Sequence, residues 1–471
     1  MPYLSLEHDQ ASARPSLSAA FLFPALLCAV ALIPLPLGGN RPWAWETLGV
    51  VVGCLMTGVG IDYLRHPAQP RTSIAPLKLA AFFFMIAVAW ATIQCLPFTP
   101  NAWHHPLWSQ AIDYFGPQLS ASVSINRVGS ISHVFRLITY AGIFWLSYSF
   151  CHDVGRARTV VKAATAIVTA YAVWGLIVYW DGNTTILWFQ KWAYLTDLTG
   201  TFVNRNSFAT FLGLGLLTGV ALLFEGVRRR VDFRESSRGI IKAALELVIV
   251  RLRWLTLASL AIATALFLTH SRGGAISTLL ALIAFLMAVN FAPSLSARWH
   301  IMFGAVLIAS LSAMLVISDN VMTGRLAESS FETEGRPRIF EQTLEAMRDW
   351  PIFGTGLGTF RDVFPLYRTE DMPLTVAQAH NDYLETIVEL GWPAAISLFL
   401  SMTCVLGICV RGLRLRRRDA VLPCVGIGAT ALVAIHSLFD FSLQMPGVAA
   451  VYWLLMGAAT AQSFNSPQST E

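Results

Sequence analysis

Charged residues are scarce in this chain. They make up 13% of its 471 residues, whereas hydrophobic residues make up 55%. Globular domains carry roughly a quarter charged residues, so this low fraction excludes an ordinary soluble protein and predicts a polytopic membrane protein. The formal net charge of +5 does not indicate a nucleic-acid partner, because the basic residues lie in short loops between apolar runs, as the orientation rule for membrane insertion predicts.

Cysteine chemistry has little support either. The chain has seven cysteines and no CxxC pair, and most of the cysteines fall inside apolar runs. This pattern supports neither a disulfide framework nor a thiolate metal site. The predicted outer face also lacks a carboxylate cluster with metal-ligand spacing, so we expect no metal and no cofactor.

The apolar runs predict an all-α fold with about twelve transmembrane helices. Both termini are expected inside, without a cleaved signal peptide, and dense basic clusters at 228–253 and 411–418 mark the inner face. The sequence shows no internal repeat. The predicted spans cover about residues 19–37, 47–64, 79–97, 131–150, 161–180, 205–226, 254–269, 274–292, 299–318, 384–410, 420–438 and 447–464.

One long and mostly polar segment interrupts this pattern. Residues 319–382 separate an N-terminal bundle, residues 1–318, from C-terminal spans, residues 383–471. The predicted topology places the segment on the outer face, which is the periplasm in a bacterium. Long loops on a membrane bundle are common places for functional residues, and this loop carries several arginines and His380.

Within the loop, residues 336–350 have the spacing of a short amphipathic helix on the membrane surface. Phe340, Leu344 and Met347 recur at helical intervals. The pattern places Arg336 at the start of the helix, where a cation opposes the helix dipole, and therefore indicates an anionic ligand. The alternative is a solvated arginine, or one bound to lipid headgroups.

The stretch GTGLGTF at 354–360 does not indicate a nucleotide loop, because no Lys-Ser or Lys-Thr pair follows it and no strand precedes it. We expect its glycines to allow tight turns between the surface helix and His380. Asn381 or Asp382 is the expected N-cap of the next span. His380 is therefore expected just before a helix at the membrane surface.

Arginines and His380 gather at this predicted face. Arg205, Arg272 and Arg336 each lie near the end of a span or helix, and guanidinium groups bind phosphate oxygens in pairs. A neutral histidine beside them suits a general base, although a purely structural His380 is the alternative. Such a site could release a lipid diphosphate through arginine charge alone, without Mg²⁺.

A second ionisable pair lies at the outer end of the eleventh predicted span. His436 and Asp440 are four residues apart, which places them on one helix face. Ionisable residues at membrane depth indicate a function. The preferred alternative is a hydrogen-bonded structural pair that closes the end of the span.

Four stretches together resemble the O-antigen ligase and O-antigen polymerase superfamily of multi-pass bacterial glycosyltransferases. The resemblance implies a fold of the membrane glycosyltransferase type C class. It also implies an inverting, metal-independent transfer of a glycan from undecaprenyl diphosphate, at the periplasmic face of the bacterial inner membrane. The four stretches, within about residues 200–400, are TGTFVNRNSFATFLGLGLL, LTHSRGGAIS, GRPRIFEQTLEAMRDWPIFGTGLGTF and AHNDYLETIVELGWPAA.

The resemblance also implies roles for particular residues. His380 is expected to activate the acceptor hydroxyl, while Arg205, Arg272 and Arg336 hold the diphosphate and stabilise it as it leaves. The family pattern has a tryptophan four residues after an arginine, where Phe340 stands here. Arg336 and Arg338 therefore both stay open as the third cation.

Two activities within the superfamily share this donor site. A ligase moves a finished glycan onto lipid A core or another acceptor, whereas a polymerase joins lipid-linked repeat units of O-antigen, exopolysaccharide or capsule. We expect a ligase first, because the loop and its histidine resemble the ligase pattern. A lipid-linked oligosaccharide transporter is less favoured, since transporters usually show repeated halves and broken helices. A non-catalytic scaffold would require that His380 be dispensable.

The substitution Arg272→Lys tests the arginine interpretation. Lysine keeps the positive charge but loses the planar fork that binds two phosphate oxygens. We therefore expect donor use to fall by about tenfold or more, as measured by the rate of glycan transfer at limiting donor. Full activity would indicate simple charge attraction, or no contact with the donor.

Overall fold

The computed structural model describes residues 18–67, 72–231, 237–292, 330–370, 372, 375–416 and 420–464. Over these residues the regular structure is helical apart from one small hairpin, which confirms the predicted all-α class. In the hairpin, β1 (Thr185–Ile186) pairs antiparallel with β2 (Phe189–Gln190), and Ile186 lies opposite Phe189.

Fifteen α-helices are described, numbered here in chain order. Their bounds are α1 (Phe23–Leu32), α2 (Pro42–Arg65), α3 (Lys78–Ile93), α4 (Leu107–Phe115), α5 (Arg127–Phe150), α6 (Val154–Trp180), α7 (Arg205–Arg228), α8 (Ser237–Glu246), α9 (Arg253–Leu268), α10 (Arg272–Phe291), α11 (Ser330–Asp349), α12 (Phe360–Val363), α13 (Asp382–Leu415), α14 (Val421–His436) and α15 (Pro446–Ala461).

Six of the described helices are long and apolar enough to cross a membrane: α2, α6, α7, α10 and α13, together with α3 and the turn before it. A seventh span results if Lys242–Arg251 and α9, which meet at a bend of 84°, are counted as one. These helices lie at predicted spans two, three, five, six, eight and ten, with α9 at the seventh. The chain is therefore a multi-pass membrane protein.

The remaining five predicted spans do not coincide with these seven helices. The helix α5 covers the fourth predicted span, and shorter apolar helices lie at the first, eleventh and twelfth. The ninth predicted span, residues 299–318, lies outside the described residues.

The helix α7 forms the centre of the bundle. The helices α6, α9, α10 and α14 pack around it, and its residues are buried on every face. A helix that is apolar all round requires such a position. Outside this centre, α15 packs on α5 and α13 packs on α3.

The helix α13 is broken at Gly391, which has φ +74° and ψ 163°. The carbonyl of Val388 loses its helical donor, because the N–H of Trp392 donates instead to Pro351, outside the helix, at 2.8 Å. The carbonyl of Glu389 has no helical donor either, because Pro393 stands four residues later and has no N–H. Both carbonyls are buried with their residues and need other partners.

The glycine loop, residues 354–360, supplies those partners. Backbone N–H groups of its second and third residues donate to the carbonyl oxygens of Val388 and Glu389, at 3.0 and 2.9 Å. Its three glycines all have positive φ. A Cβ atom on Gly354 would lie 2.3 Å from the carbonyl oxygen of Glu389, so glycine is required for the close approach. The predicted tight turns are confirmed.

The observed start of α11 differs from the predicted start, which changes the position of Arg336 within the helix. The prediction began this helix at Arg336, but the helix begins at Ser330. Gly335 and Pro337, which both disfavour a helix interior, hid the true start. Arg336 lies beyond the first turn, where the helix dipole has little effect, so the dipole gives no argument for an anionic ligand there.

The apolar face of α11 is also shifted from the predicted one. The predicted face contained Leu344, which is 36% exposed. The buried side chains are Ile339, Thr343 and Ala346, one residue earlier in each turn. The loop packs this face against its own residues, including Ile339 with Phe360 and Phe364.

The substitution Gly391→Ala tests the break in α13. A Cβ atom at this position would lie 2.1 Å from the carbonyl oxygen of Ile352, and the positive φ is strained for alanine. We expect the melting temperature of the purified protein to fall by several degrees, since a strained residue costs about 1–3 kcal/mol.

The matched control is Gly407→Ala, in the same helix. A Cβ atom at Gly407 would meet no atom within 4 Å, so this change should be neutral or slightly stabilising. Equal melting temperatures for the two variants would contradict the account of the break.

Candidate functional site

The turn between α14 and α15, residues 437–445, holds a buried carboxylate. The turn begins where the N–H groups of Phe439 and Asp440 donate to the carbonyl of His436, at 2.9 and 3.0 Å. The side chain of Asp440 is only 1% exposed. A buried ionised carboxylate costs several kcal/mol unless charges and hydrogen bonds compensate it, so its neighbours are the first place to look for a site.

His380 is one of these neighbours. Its Nδ1 lies 3.6 Å from Oδ1 of Asp440, slightly longer than a hydrogen bond, which is common for catalytic pairs without substrate. The imidazole ring packs edge-on against Phe441 at 5.1 Å between centroids. The backbone of His380 has φ +52°, a left-handed conformation that is uncommon for a residue with a side chain.

Two hydrogen-bonded links fix the chain beside His380. Asn381 caps α13, as predicted, by accepting from the N–H groups of the second and third helical residues at 3.0 Å, and its amide donates to the carbonyl of Leu438 at 3.2 Å. Asp382 receives the Ser437 hydroxyl at 2.7 Å, and its N–H donates to the Ser437 carbonyl at 3.0 Å. The turn therefore sets the position of His380.

Arg336 reaches the same turn from α11. Its Nη1 donates to the carbonyl oxygen of Phe439 at 3.1 Å, and its Nη2 lies 3.8 Å from Oδ2 of Asp440. Arg338 is exposed on the same helix. Arg336, one of the two arginines left open by the sequence, thus contacts the buried carboxylate.

These neighbours control the charge of Asp440. Burial opposes ionisation, but His380, His436 and Arg336 outweigh it and lower the pKa of Asp440 to about 2. Because the pKa is lower than the ordinary 3.8, the ionised carboxylate stabilises the folded state above about pH 4, and this stabilisation is lost as pH falls through about 2. Asp440 is therefore an anion at neutral pH.

Arg205 and Arg272 begin two helices that meet near this turn. Asn204 caps α7, and its amide nitrogen lies 3.5 Å from Oδ1 of Asp440. Ser271 caps α10 and donates to the Asn206 side chain at 2.7 Å. The structure thus brings the two helix starts and Asp440 to one end of the bundle.

The two arginines differ in what surrounds them. Nη1 of Arg205 donates to Oδ2 of Asp197 at 2.8 Å, and the side chain is 17% exposed. Arg272 is exposed. Its neighbour Gly273 lies beside His436, since a Cβ atom there would be 3.8 Å from Nε2 of that histidine.

The side chains of His436 and Asp440 hydrogen-bond to other groups rather than to each other. Nδ1 of His436 pairs with the Ser442 hydroxyl at 2.8 Å, and Oδ1 of Asp440 accepts from the N–H of Phe441 at 2.8 Å. The spacing in the sequence singled out Asp440, but not its contact with His380. Asp197 was missed altogether, because an isolated aspartate in a loop has no pattern that signals a partner.

Within the described ranges, no three His, Cys, Asp or Glu side chains group as a metal site would require. Comparison with known proteins gives one family match. Residues 257–399 match a family model described as O-antigen ligase, which is 143 of the 471 residues. The matched range includes Arg272, Arg336 and His380, but not Arg205 or Asp440. No curated protein matches the chain.

The substitution Asp440→Asn tests the charge of the buried carboxylate. Asparagine keeps the size and the acceptor for Phe441 but removes the negative charge beside His380 and Arg336. If His380 gains a proton during the reaction, we expect turnover to fall by about tenfold or more, because the variant lacks the carboxylate that would stabilise the imidazolium. Thermal melting of the purified variant is the control for folding, and unchanged turnover by a folded variant would contradict this role.

Proposed function

We propose that this chain belongs to the O-antigen ligase and polymerase superfamily and transfers a glycan from undecaprenyl diphosphate to an acceptor sugar hydroxyl. The family match over residues 257–399 supports the proposal. The same match supports a place in surface polysaccharide biosynthesis and a glycosyltransferase-like activity. The observation that carries the specific proposal is His380 beside the buried Asp440, with Arg336 on the same carboxylate.

His380 acts as the general base in this mechanism. Its Nδ1 faces Asp440, so Nε2 is the ring atom that accepts the proton of the acceptor hydroxyl. The ionised Asp440 favours the imidazolium that results. The activated oxygen attacks the anomeric carbon from the face opposite the diphosphate, which inverts the configuration.

Arginines stabilise the leaving group. The diphosphate gains negative charge as the anomeric bond breaks, and guanidinium groups of Arg205, Arg272 and Arg336 bind phosphate oxygens through paired hydrogen bonds. Fixed positive charge of this kind supplies the stabilisation that a metal ion provides in other transferases, and the proposed reaction is therefore metal-independent.

We place the reaction on the periplasmic face of the bacterial inner membrane. We retain the predicted twelve spans with both termini inside. Residues 319–382 form a periplasmic loop between the N-terminal bundle, residues 1–318, and the C-terminal spans, residues 383–471. The basic clusters between spans support this orientation. The partners are the lipid-linked donor, membrane lipids, and an acceptor that is lipid A core or another glycan.

We favour ligase activity. The alternative is a polymerase that joins lipid-linked repeat units of O-antigen, exopolysaccharide or capsule. A transporter is less favoured. Broken transporter helices leave carbonyls open to coordinate ions, whereas the carbonyls at the break of α13 accept hydrogen bonds from the glycine loop.

The proposed function is tested by deleting the gene and complementing the deletion strain with the His380→Ala variant. We expect the variant to be made and folded but to reduce transfer by about 100-fold or more, the usual contribution of a general base. Surface glycan is analysed by gel, together with the lipid-linked intermediates. The matched control is His66→Ala, because His66 also contacts an aspartate, Asp62, at 3.1 Å, but lies at the end of α2.

The gel also separates the two activities. Loss of capped lipid A core with accumulation of lipid-linked polymer would indicate a ligase. Persistence of single repeat units without any long polymer would indicate a polymerase. Normal glycan in the His380→Ala strain would contradict the proposed mechanism.

A further inference from the structure

A second histidine–aspartate pair lies beside the predicted donor arginines. Nδ1 of His270 lies 2.8 Å from Oδ1 of Asp197, and the two side chains are 12% and 6% exposed. The other carboxylate oxygen of Asp197 accepts from Arg205 at 2.8 Å. One buried carboxylate thus joins His270 to Arg205, and Arg272 follows His270 by two residues.

The local structure of His270 parallels that of His380. Both residues have left-handed backbones, with φ +51° and +52°. Each directly precedes the N-cap of a helix, Ser271 for α10 and Asn381 for α13. Each presents Nδ1 to a buried aspartate. Strained backbones of this kind cluster at functional sites.

Other contacts hold Asp197 in place from the hairpin side. Nζ of Lys191 donates to the backbone carbonyl of Asp197 at 2.6 Å and to the side chain of Asn183 at 3.0 Å. The N–H of Leu198 donates to the carbonyl of Leu268, at the end of α9, at 2.9 Å. Hydrogen bonds at the peptide group between Asp197 and Leu198 therefore hold Asp197 in place, and its carboxylate in turn contacts His270.

Charged groups surround His270. Burial opposes the charge on Asp197, but His270 and Arg205 outweigh it and hold the pKa of that carboxyl below its usual value. Burial lowers the pKa of Lys191 to about 8. The charged groups of the surrounding segments are thus Asp197 and Lys191 from the hairpin loop, Arg205 of α7 and Arg272 of α10, while His436 of α14 packs beside Gly273.

We infer that His270 is the donor-side histidine of the site, a ligand whose Nε2–H binds a phosphate oxygen of the donor diphosphate while Asp197 holds its Nδ1–H. The inference rests on the proposed function. Asp197 is a positioning residue, because it acts on the diphosphate only through His270 and Arg205.

His270 and His380 then have complementary roles in the transfer step. The bond between the anomeric carbon and the phosphate oxygen breaks, and its electron pair goes to the diphosphate. The acceptor oxygen forms the new glycosidic bond, and its proton goes to His380. The leaving diphosphate gains one negative charge, which the imidazolium of His270 and the arginines stabilise.

The substitution His270→Asn separates this role from a structural one. The asparagine amide nitrogen takes the place of Nδ1 and keeps the contact with Asp197, and asparagine tolerates the left-handed backbone. Only Nε2 is lost. A residue that merely ties the hairpin loop to α10 should therefore tolerate this change.

The experiment titrates undecaprenyl diphosphate into the full-length protein in nanodiscs at several pH values. We expect His270→Asn to weaken binding by about tenfold, the worth of a hydrogen bond to a charged group. Wild-type affinity should fall as pH rises, because a neutral imidazole that keeps its Nδ1–H has no Nε2–H to donate, and the variant should lack this fall. The matched control is His66→Asn, which should behave as wild type.

A second variant, Asp197→Asn, keeps the test decisive if His270→Asn fails to fold. It removes the charged acceptor that positions His270 and Arg205, so binding of undecaprenyl diphosphate should weaken. Wild-type affinity in either folded variant would overturn the inference.

One further outcome separates this inference from the proposed function, and another would overturn both. His380→Ala should bind undecaprenyl diphosphate normally while losing transfer, so normal binding and transfer by that variant would count against the proposed function alone. Absence of binding by wild type would overturn both.

Discussion

A carboxylate in a protein interior needs compensation from several sides, and Asp440 receives it from segments that are far apart in the sequence. His380 approaches from the start of α13, Arg336 from α11, and Asn204 from the start of α7. Without these groups an ionised Asp440 would cost several kcal/mol. The need to satisfy one buried charge thus brings together the residues that the proposed reaction uses.

The break in α13 makes this arrangement possible. A continuous helix would satisfy its own carbonyls and offer the loop no backbone partners. Because Gly391 and Pro393 interrupt the ladder, the glycine loop docks by hydrogen bonds on Val388 and Glu389. Two buried side chains extend the docking: Glu385 accepts from the N–H of Ala379 at 2.7 Å, and Glu389 from that of Phe360 at 3.1 Å. His380 therefore follows directly after a backbone group that is anchored to α13.

Periodicity and composition predicted most of the described helices, because apolar length and helical spacing are local properties. The same is true of the Asn381 cap and the glycine turns. The start of α11 was missed because Gly335 and Pro337 locally oppose a helix that the fold nevertheless continues. The contacts of Asp440 with His380 and of Asp197 with His270 could not be predicted, since they join residues separated by 60 or more positions through packing alone. Sequence patterns identify candidate side chains, but only tertiary packing pairs them.

The most direct test of the account is a double-mutant cycle on glycan transfer from a lipid-linked donor. The rates of His380→Ala, Asp440→Asn and the double variant are compared with wild type under saturating substrates. If His380 and Asp440 act as one unit, the double variant should be no slower than His380→Ala, because residues that act together give non-additive losses. Independent losses that multiply in the double variant, or near-normal turnover by His380→Ala, would contradict the account.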